Sequence, residues 1–500
     1  MNTKKSPITY LVRAIVAAGV LGAAAHSLAA TYQVQFFAPG VKAYYLRYFD
    51  AAGNPKSTLS FPTVVEGSTS APVTFTIQNV GAGPLAFSAT PFTVPAPFSL
   101  TSTTCAGSLA PAATCTATLT FSPQAAKTYS GQAITVSSTP ASIASPPLYA
   151  IATSSPVVQL AVGDYSAYVQ KQNGTWWATG NNNNGQLGLG DTANRLTFTQ
   201  VPSLAGAVKV ITGMSGAGQT LALFPGGVLK SSQSPTYTFT PISGITTSGK
   251  VAIGWTSTFV QLTDGSWVGK GNGYGELGLG DTVARSSFVP LPLPAGTTQV
   301  VATGFSAYAQ RADGAWLSSG RNYWGTLGLG DYNTGTDRNV FTLISTLPAG
   351  SQIYGGEYEA GYAQLPDTTY ASTGNWIAGN RGDGYVSGPF TVFTKLNNIG
   401  AATKIYPSIQ GLYAQYADGT VLSAGYAPGL LASDYGHNPF FSAQPLLKNA
   451  TNIASGYDST RALLPNGTLM VGGFNNYGQL GTGDTTSRGQ YGTQFVQVIP

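Results

Sequence analysis

Few side chains in this 500-residue chain could carry chemistry, and their placement limits what that chemistry would be. Its two histidines are His26 and His437. Only His437 lies in the body of the chain, in Asp434-Tyr435-Gly436-His437, so a Ser-His-Asp arrangement would have to be assembled around a Gly-rich loop. Two cysteines and two histidines are too few for the usual His/Cys zinc clusters. Paired carboxylates could cleave glycosides without histidine. Yet Asp191, Asp281, Asp331 and Asp484 end similar loops, and Asp264, Asp313 and Asp418 precede turn glycines. An aspartate suits such turns because it accepts nearby backbone N–H bonds. Arg195, Arg285 and Arg488 follow three of the loop aspartates by four residues, which is the spacing of ion pairs repeated from copy to copy. Glu357 and Glu359, alternate residues of a strand-like segment, are the best carboxylate pair left. The glycine-rich loops are followed by neither the lysine nor the helix of a phosphate cradle. The expectation is a protein that is not an enzyme and uses no cofactor and no metal.

Two other residue sets stand out. Cys105 and Cys115 are ten apart and are expected to form a disulfide if the chain is exported. Tyr274, Trp324 and Tyr477 each precede the first glycine of a repeated loop, where a fourth copy has Asn184. Large amphipathic rings on a rigid face make interface anchors, and they also stack on sugars. The other reading is that they pack between adjacent loops. Trp176, Trp267 and Trp316 share their position with Leu229, Val421 and Leu469, and are expected in the core.

The elements that must position these residues are β-strands. Lys+Arg and Asp+Glu number 23 and 18, too few for a charged disordered chain or a coiled coil, while 63 glycines, 27 tyrosines and 22 phenylalanines suit turn-rich sheets. Residues 1–30 read as a secretory signal peptide. Lys4, Lys5 and Arg13 give the basic start, residues 15–25 an apolar run, and Ser27-Leu28-Ala29 a cleavage site. Cleavage removes three basic residues and no acids, leaving 20 against 18, too even a balance for a nucleic-acid partner. A secreted, cell-surface or periplasmic protein is expected, with no transmembrane segment after cleavage. No cysteine near the cleavage site offers a lipid anchor.

Residues 31–137 alternate short apolar runs with Pro, Gly and Ser turns. Val73-Thr74-Phe75-Thr76-Ile77 and Ala117-Thr118-Leu119-Thr120-Phe121 have the period of half-buried strands, which predicts an antiparallel β-sandwich. Residues 138–156, rich in Ser, Pro and Ala, read as a linker. From residue 157 to 500 the chain repeats. A turn column runs Gly174, Gly227, Gly265, Gly314, Thr368, Gly419 and Gly467. Six residues earlier come Tyr168, Leu221, Phe259, Tyr308, Tyr362, Tyr413 and Arg461, and a later column holds Phe198, Phe239, Phe288, Phe341, Phe393, Phe441 and Phe495. Seven copies of a unit that could not bury itself alone predict a seven-bladed β-propeller. Val157-Val158-Gln159-Leu160 is expected to complete the last blade, so that the N- and C-terminal strands of the propeller pair in one sheet.

Four copies carry Gly185-Gln186-Leu187-Gly188-Leu189-Gly190-Asp191, Gly275-Glu276-Leu277-Gly278-Leu279-Gly280-Asp281, Gly325-Thr326-Leu327-Gly328-Leu329-Gly330-Asp331 and Gly478-Gln479-Leu480-Gly481-Thr482-Gly483-Asp484. This signature resembles the regulator-of-chromosome-condensation repeat family, whose members form seven-bladed propellers. Copies two, five and six lack it. The run Val73 to Gly83, Phe98-Ser99, Cys105, Leu109-Ala110-Pro111, Cys115-Thr116 and Phe121-Ser122-Pro123 resembles the immunoglobulin-like module of spindle-associated, ciliary and bacterial surface proteins, also called a choice-of-anchor domain. That resemblance implies a spacer or an attachment. The repeat family includes a nucleotide-exchange factor for a small GTPase, scaffolds, and secreted inhibitors of β-lactamases. No segment here matches the wedge on which exchange depends. The expected function is an exported binding protein that offers a rigid propeller face to a protein partner. A carbohydrate or cell-envelope adhesin and an exchange factor for a host GTPase are the alternatives.

Overall fold

The computed structural model describes residues 46–500, apart from 140–142, 214–219, 234, 334, 356–359, 375–389, 409, 427–437, 457–458 and 489–494. The signal segment, Glu357, Glu359 and His437 lie outside the described residues. Those described are all-β, with three short 3-10 turns as their only helical elements. None of their helices is long and apolar enough to cross a membrane.

The chain forms two compact units. Of the described residues, the first comprises 46–63, 69–122 and 128–151. One antiparallel sheet orders its strands Leu46–Phe49, Val73–Asn79, Thr114–Phe121 and Phe98–Thr103. A second runs Ile143–Ala144, Thr135–Thr139, Leu85–Thr93 and Ser108–Leu109. In Val73–Asn79 the buried residues are Phe75, Ile77 and Asn79, so the alternation seen in the sequence fixes the inward face. Phe61, Phe98 and Phe121 fill the interior, with ring centroids 4.9 and 5.0 Å apart along the series. Cys105 and Cys115 are disulfide-bonded.

Residues 138–156 are not a linker. They hold Ile143–Ala144 and Leu148–Thr153, and the second of these pairs with Leu59–Ser60 in parallel and Thr128–Ser130 in antiparallel fashion. Leu148, Ala150 and Ala152 are buried at alternate places, so the short strand is specified by period although its composition is that of a loop.

The second unit comprises 64–68, 123–127 and residue 152 onward. Its segment 64–68 is fixed by a buried ion pair. Lys171 Nζ lies 2.5 Å from Glu66 Oε1, and the carboxylate also accepts the Ala126 N–H at 3.0 Å. Five four-stranded antiparallel meanders and one seven-stranded sheet follow in chain order. In the seven-stranded sheet the long strand Thr238–Ile253 ends copy two and begins copy three. The second strand of each meander is nearly all buried, as in Ser306–Gln310, whereas the fourth, such as Arg195–Gln200, is mostly half-buried or exposed. Sheets stacked face to face account for this gradient, because their inner strands are covered on both sides.

The expected exchange of strands between the ends does not occur. Val157–Val162 pairs with Ser166–Lys171 in copy one, and copy seven has four strands of its own, ending with Val496–Val498. Val157–Val162 is the counterpart of Lys209–Thr212 and opens its own copy. The columns start at the second strand of each copy, which made this first strand look spare. The ends meet by packing instead: Val157, Val169 and Phe198 share a core with Leu463, Leu469, Leu480 and Val498.

Candidate functional site

The repeated loop joins the third and fourth strands, and in copies one, four and seven one asparagine organises it. In copy four Asn322 Nδ2 donates to the Asp331 carbonyl at 3.0 Å and carboxylate at 2.7 Å, while its Oδ1 accepts the Leu327 N–H at 3.0 Å. Asn182 and Asn475 do the same for Asp191 with Leu187 and for Asp484 with Leu480. Each loop aspartate then binds an arginine: Asp191–Arg195 and Asp484–Arg488 at 2.6 Å, and Asp281–Arg285 at 2.7 Å. Asp331 makes the same pair with Arg338, seven residues on, which the four-residue spacing does not reveal. The arginine bonds hold the Asp191 and Asp484 carboxyls below the usual carboxylate range. For Asp281 the Val283 N–H leads and Arg285 adds to it. The signature leucine is buried, and the glycine after it abuts the phenylalanine of the following copy. Gly188 lies against Phe239 at φ 70°, in the left-handed region and with no room for a Cβ.

Asp264 and Asp418 each accept a backbone N–H two residues on at 2.9 Å, and Asp313 does so at 3.1 Å. These carboxylates are turn elements. Trp176, Trp267 and Trp316 are buried, and each indole N–H donates to a carbonyl of the segment leading to the next copy: Ala207, Thr297 and Ser351.

The first turn of each copy lies beside the loop, as the Asn181 N–H to Tyr165 carbonyl and Arg321 N–H to Phe305 carbonyl bonds show. The aromatic residues therefore meet across copies. Tyr274 packs edge-on against Phe305 of copy four at 5.2 Å, and Tyr477 of copy seven lies 5.1 Å from Tyr165 of copy one. Trp324 packs on Tyr323 of its own loop at 4.8 Å. Tyr274 keeps 41% of its surface exposed, while Trp324 and Tyr477 are half-buried. Tyr274 and Tyr477 thus pack between adjacent copies, Trp324 packs within its own loop, and all three keep part of their surface open to solvent.

The sequence did not single out Arg321, which organises this cluster. Its guanidinium carbon lies 5.4 Å from the Phe305 centroid, 5.6 Å from Tyr323 and 5.9 Å from Tyr274, and Trp255 adds an edge to Phe305 at 5.6 Å. Among the described residues it has no carboxylate partner, unlike Arg195, Arg285, Arg338 and Arg488. The signal available was its place directly after Gly320, where copy one has Asn181 and copy seven Phe474. Arg461, the one charged member of its column, is fully buried. It donates Nη2 to the Gln479 carbonyl, the bond that the Tyr168 and Tyr308 hydroxyls make to Gln186 and Thr326. Its Nε has no partner among the described residues, and burial pulls its pKa down to about 9.

Residues 173–223 match the regulator of chromosome condensation (RCC1) repeat. Prp20p from Saccharomyces cerevisiae, whose structure was described with its binding to Gsp1p and histones, is similar at 18% identity and TM-score 0.50, over 59% of this chain and 79% of that one. The structure of Kap60 bound to yeast RCC1 (Prp20) matches at 14% identity and TM-score 0.53, over 68% and 84%. These likenesses show an all-β, propeller-like fold. No curated protein sequence matches the chain.

Proposed function

We propose that the chain is an exported, non-catalytic binding protein. In this reading an immunoglobulin-like sandwich carrying the Cys105–Cys115 disulfide precedes a seven-bladed propeller, and the loop face of the propeller docks a protein partner. The observation that carries the proposal is Arg321. A guanidinium set among Tyr274, Phe305 and Tyr323, with no carboxylate partner among the described residues, is a half-buried donor fork open to an acceptor. It suits an acidic side chain of a protein partner, with the exposed rings as apolar anchors around it. Loops pinned by Asp–Arg pairs, with Asn–Asp bonds in copies one, four and seven, lose little conformational entropy on docking. The non-catalytic reading is supported by the acids, since the loop and turn aspartates are engaged by arginine or by backbone N–H groups.

The test is affinity capture by mature residues 30–500 from culture and envelope extracts, beside Arg321→Gln and the triple variant Tyr274→Ala, Trp324→Ala and Tyr477→Ala. A protein retained by the parent and lost with both variants, at a melting temperature close to the parent's for Arg321→Gln, is the expected result. Equal capture by all three chains would sink the proposal. Release of the bound partner by soluble neutral glycans would transfer the face to carbohydrate recognition.

A further inference from the structure

We infer that the repeat unit carries a second binding site, a carboxylate pocket over Phe288, in the space that a signature loop occupies in other copies. Each signature loop roofs the phenylalanine of the next copy: Gly188 abuts Phe239, Gly278 abuts Phe341, Gly328 abuts Phe393 and Gly481 abuts Phe198. The loop carbonyls are also taken by hydroxyls on third strands. Within copy four, Ser318 Oγ donates to the Leu327 carbonyl at 2.8 Å. Across copies, Thr179 donates to Gly478, Ser319 to Glu276 and Thr373 to Gly325, each at 2.9 Å.

Copy two has no such loop. Four residues, 234–237, join its third strand Val228–Gln233 to Thr238–Ile253, and among the described residues no signature loop roofs Phe288 of copy three. A cavity of about 410 Å³ stands there, lined by Ser231, Ile242, Ile245, Lys270, Ser287 and Phe288 among others. Its Ile wall is a bulge, where the pairing of Thr238–Ile253 with Val228–Gln233 shifts register. Ser231 occupies the position of Ser318, and its buried hydroxyl has no hydrogen-bond partner among the described residues. Lys270 occupies the position of Thr179, Ser319 and Thr373. Its ammonium leans over the Phe288 ring at 5.4 Å and meets no carboxylate or carbonyl among the described residues. Burial draws its pKa down from the usual lysine value. Both groups that would bind a loop carbonyl are therefore present and unsatisfied.

An unmet buried donor is costly, and a partly desolvated ammonium gains from an anionic oxygen. The ligand class follows: a small molecule with one carboxylate for Lys270, an acceptor for Ser231, and a ring-sized body to lie on Phe288, Ile242 and Ile245. The cavity admits a single ring. An aromatic acid and a sugar acid share this chemistry. The pocket uses none of the residues around Arg321, so it stands or falls apart from the docking face.

Titration calorimetry of the full chain with benzoate and with glucuronate, beside benzamide and glucose, tests the site. The expected result is binding of at least one acid, weaker by about tenfold or more for its neutral counterpart and for Lys270→Met, the scale of a lost charge-assisted hydrogen bond. Benzoate binding more tightly marks an aromatic acid, and glucuronate binding more tightly marks a sugar acid. If Lys270→Met does not fold, the rate of amine acetylation at Lys270 in the parent protein replaces it. The bound acid should then slow that reaction at Lys270 and at no other described lysine. No binding of either acid at millimolar concentration, or equal binding by Lys270→Met, overturns the inference, as does equal acetylation with and without acid.

Discussion

Copies two and four share a strand framework, and one loop of copy four has no counterpart in copy two. Leu221 and Tyr308, Leu229 and Trp316, Ser231 and Ser318, Phe239 and Phe341 take matching places on matching strands. In copy four the chain then runs through residues 321–337 before its last strand. There it buries Leu327, closes on Asn322, satisfies Ser318 and covers Phe393 of copy five. In copy two the chain turns in four residues, and Ser231 and Phe288 are left without those contacts. The strands of copy two form regardless. The loop therefore does not specify the sheet; it is a lid and a hydrogen-bond partner supplied by one copy to the next.

The largest effect expected from that view is at Leu327. Leu327→Ala removes a fully buried side chain from under the copy-four loop and should cost about 2–5 kcal/mol in denaturant unfolding of the repeat unit. A loss well under ~1 kcal/mol would show that the loop is a surface decoration and would break the comparison. Arg461→Tyr comes next. It gives copy seven the residue that copies one and four use for the same carbonyl, and it removes a buried guanidinium whose Nε is unpaired among the described residues. Replacement of a buried uncompensated charge should raise stability by about 1–4 kcal/mol, read as a higher melting temperature. A fall would mean that the cation has a partner in copy one that outweighs its burial. Smaller again is a matched pair. Ser318→Ala leaves the Leu327 carbonyl without that donor and should cost about 1 kcal/mol, whereas Ser231→Ala removes a hydroxyl with no partner among the described residues and should cost about nothing. Equal losses at the two serines would refute the orphan status on which the pocket over Phe288 depends.

What the sequence showed and what it hid follow from where each interaction lies. Contacts inside one copy recur at fixed spacing, so the tryptophan core, the turn aspartates and three of the four Asp–Arg pairs could be read directly. Asp331–Arg338 escaped because three extra residues separate the partners. Contacts between copies leave no spacing to read. Tyr274 on Phe305, Tyr477 on Tyr165, the loop glycines on the next phenylalanine and the setting of Arg321 all depend on how neighbouring sheets stack. The same limit misplaced Val157–Val162, whose pairing depends on the phase of the repeat rather than its period. In Leu148–Thr153 the strand is too short for its alternation to outweigh a loop-like composition. For Ser231, the absence of the signature from copy two was visible, but the consequence for a hydroxyl and a lysine from two copies was not.

The smallest effect sharpens the comparison within the signature copies themselves. Copy three reaches its signature one residue sooner than copies one, four and seven: Gly271 to Gly275 against Gly180 to Gly185. It carries Glu276 where copies one and seven carry Gln186 and Gln479. Gln186 accepts the Asn184 N–H at 2.9 Å and donates to Asn181 Oδ1 at 3.2 Å. In copy three both oxygens of Glu276 accept backbone N–H bonds, from Asn272 at 2.9 Å and Tyr274 at 2.6 Å. The carboxylate is buried, and burial pushes its pKa up despite those bonds. For an acid raised in the folded state, the stabilising contribution is complete below the unfolded carboxylate range and is lost as pH climbs through the folded pKa. Glu276→Gln removes this titration at the cost of one backbone N–H losing its acceptor, a penalty independent of pH. The stability of the variant relative to the parent should therefore improve as pH rises from about 4 to about 7, whatever its sign at either end. Urea midpoints measured for both chains across that range decide the matter. A difference that is flat with pH, or that moves against the variant, would mean that the N–H bonds outweigh burial and that the shorter loop holds a carboxylate as comfortably as its sisters hold an amide.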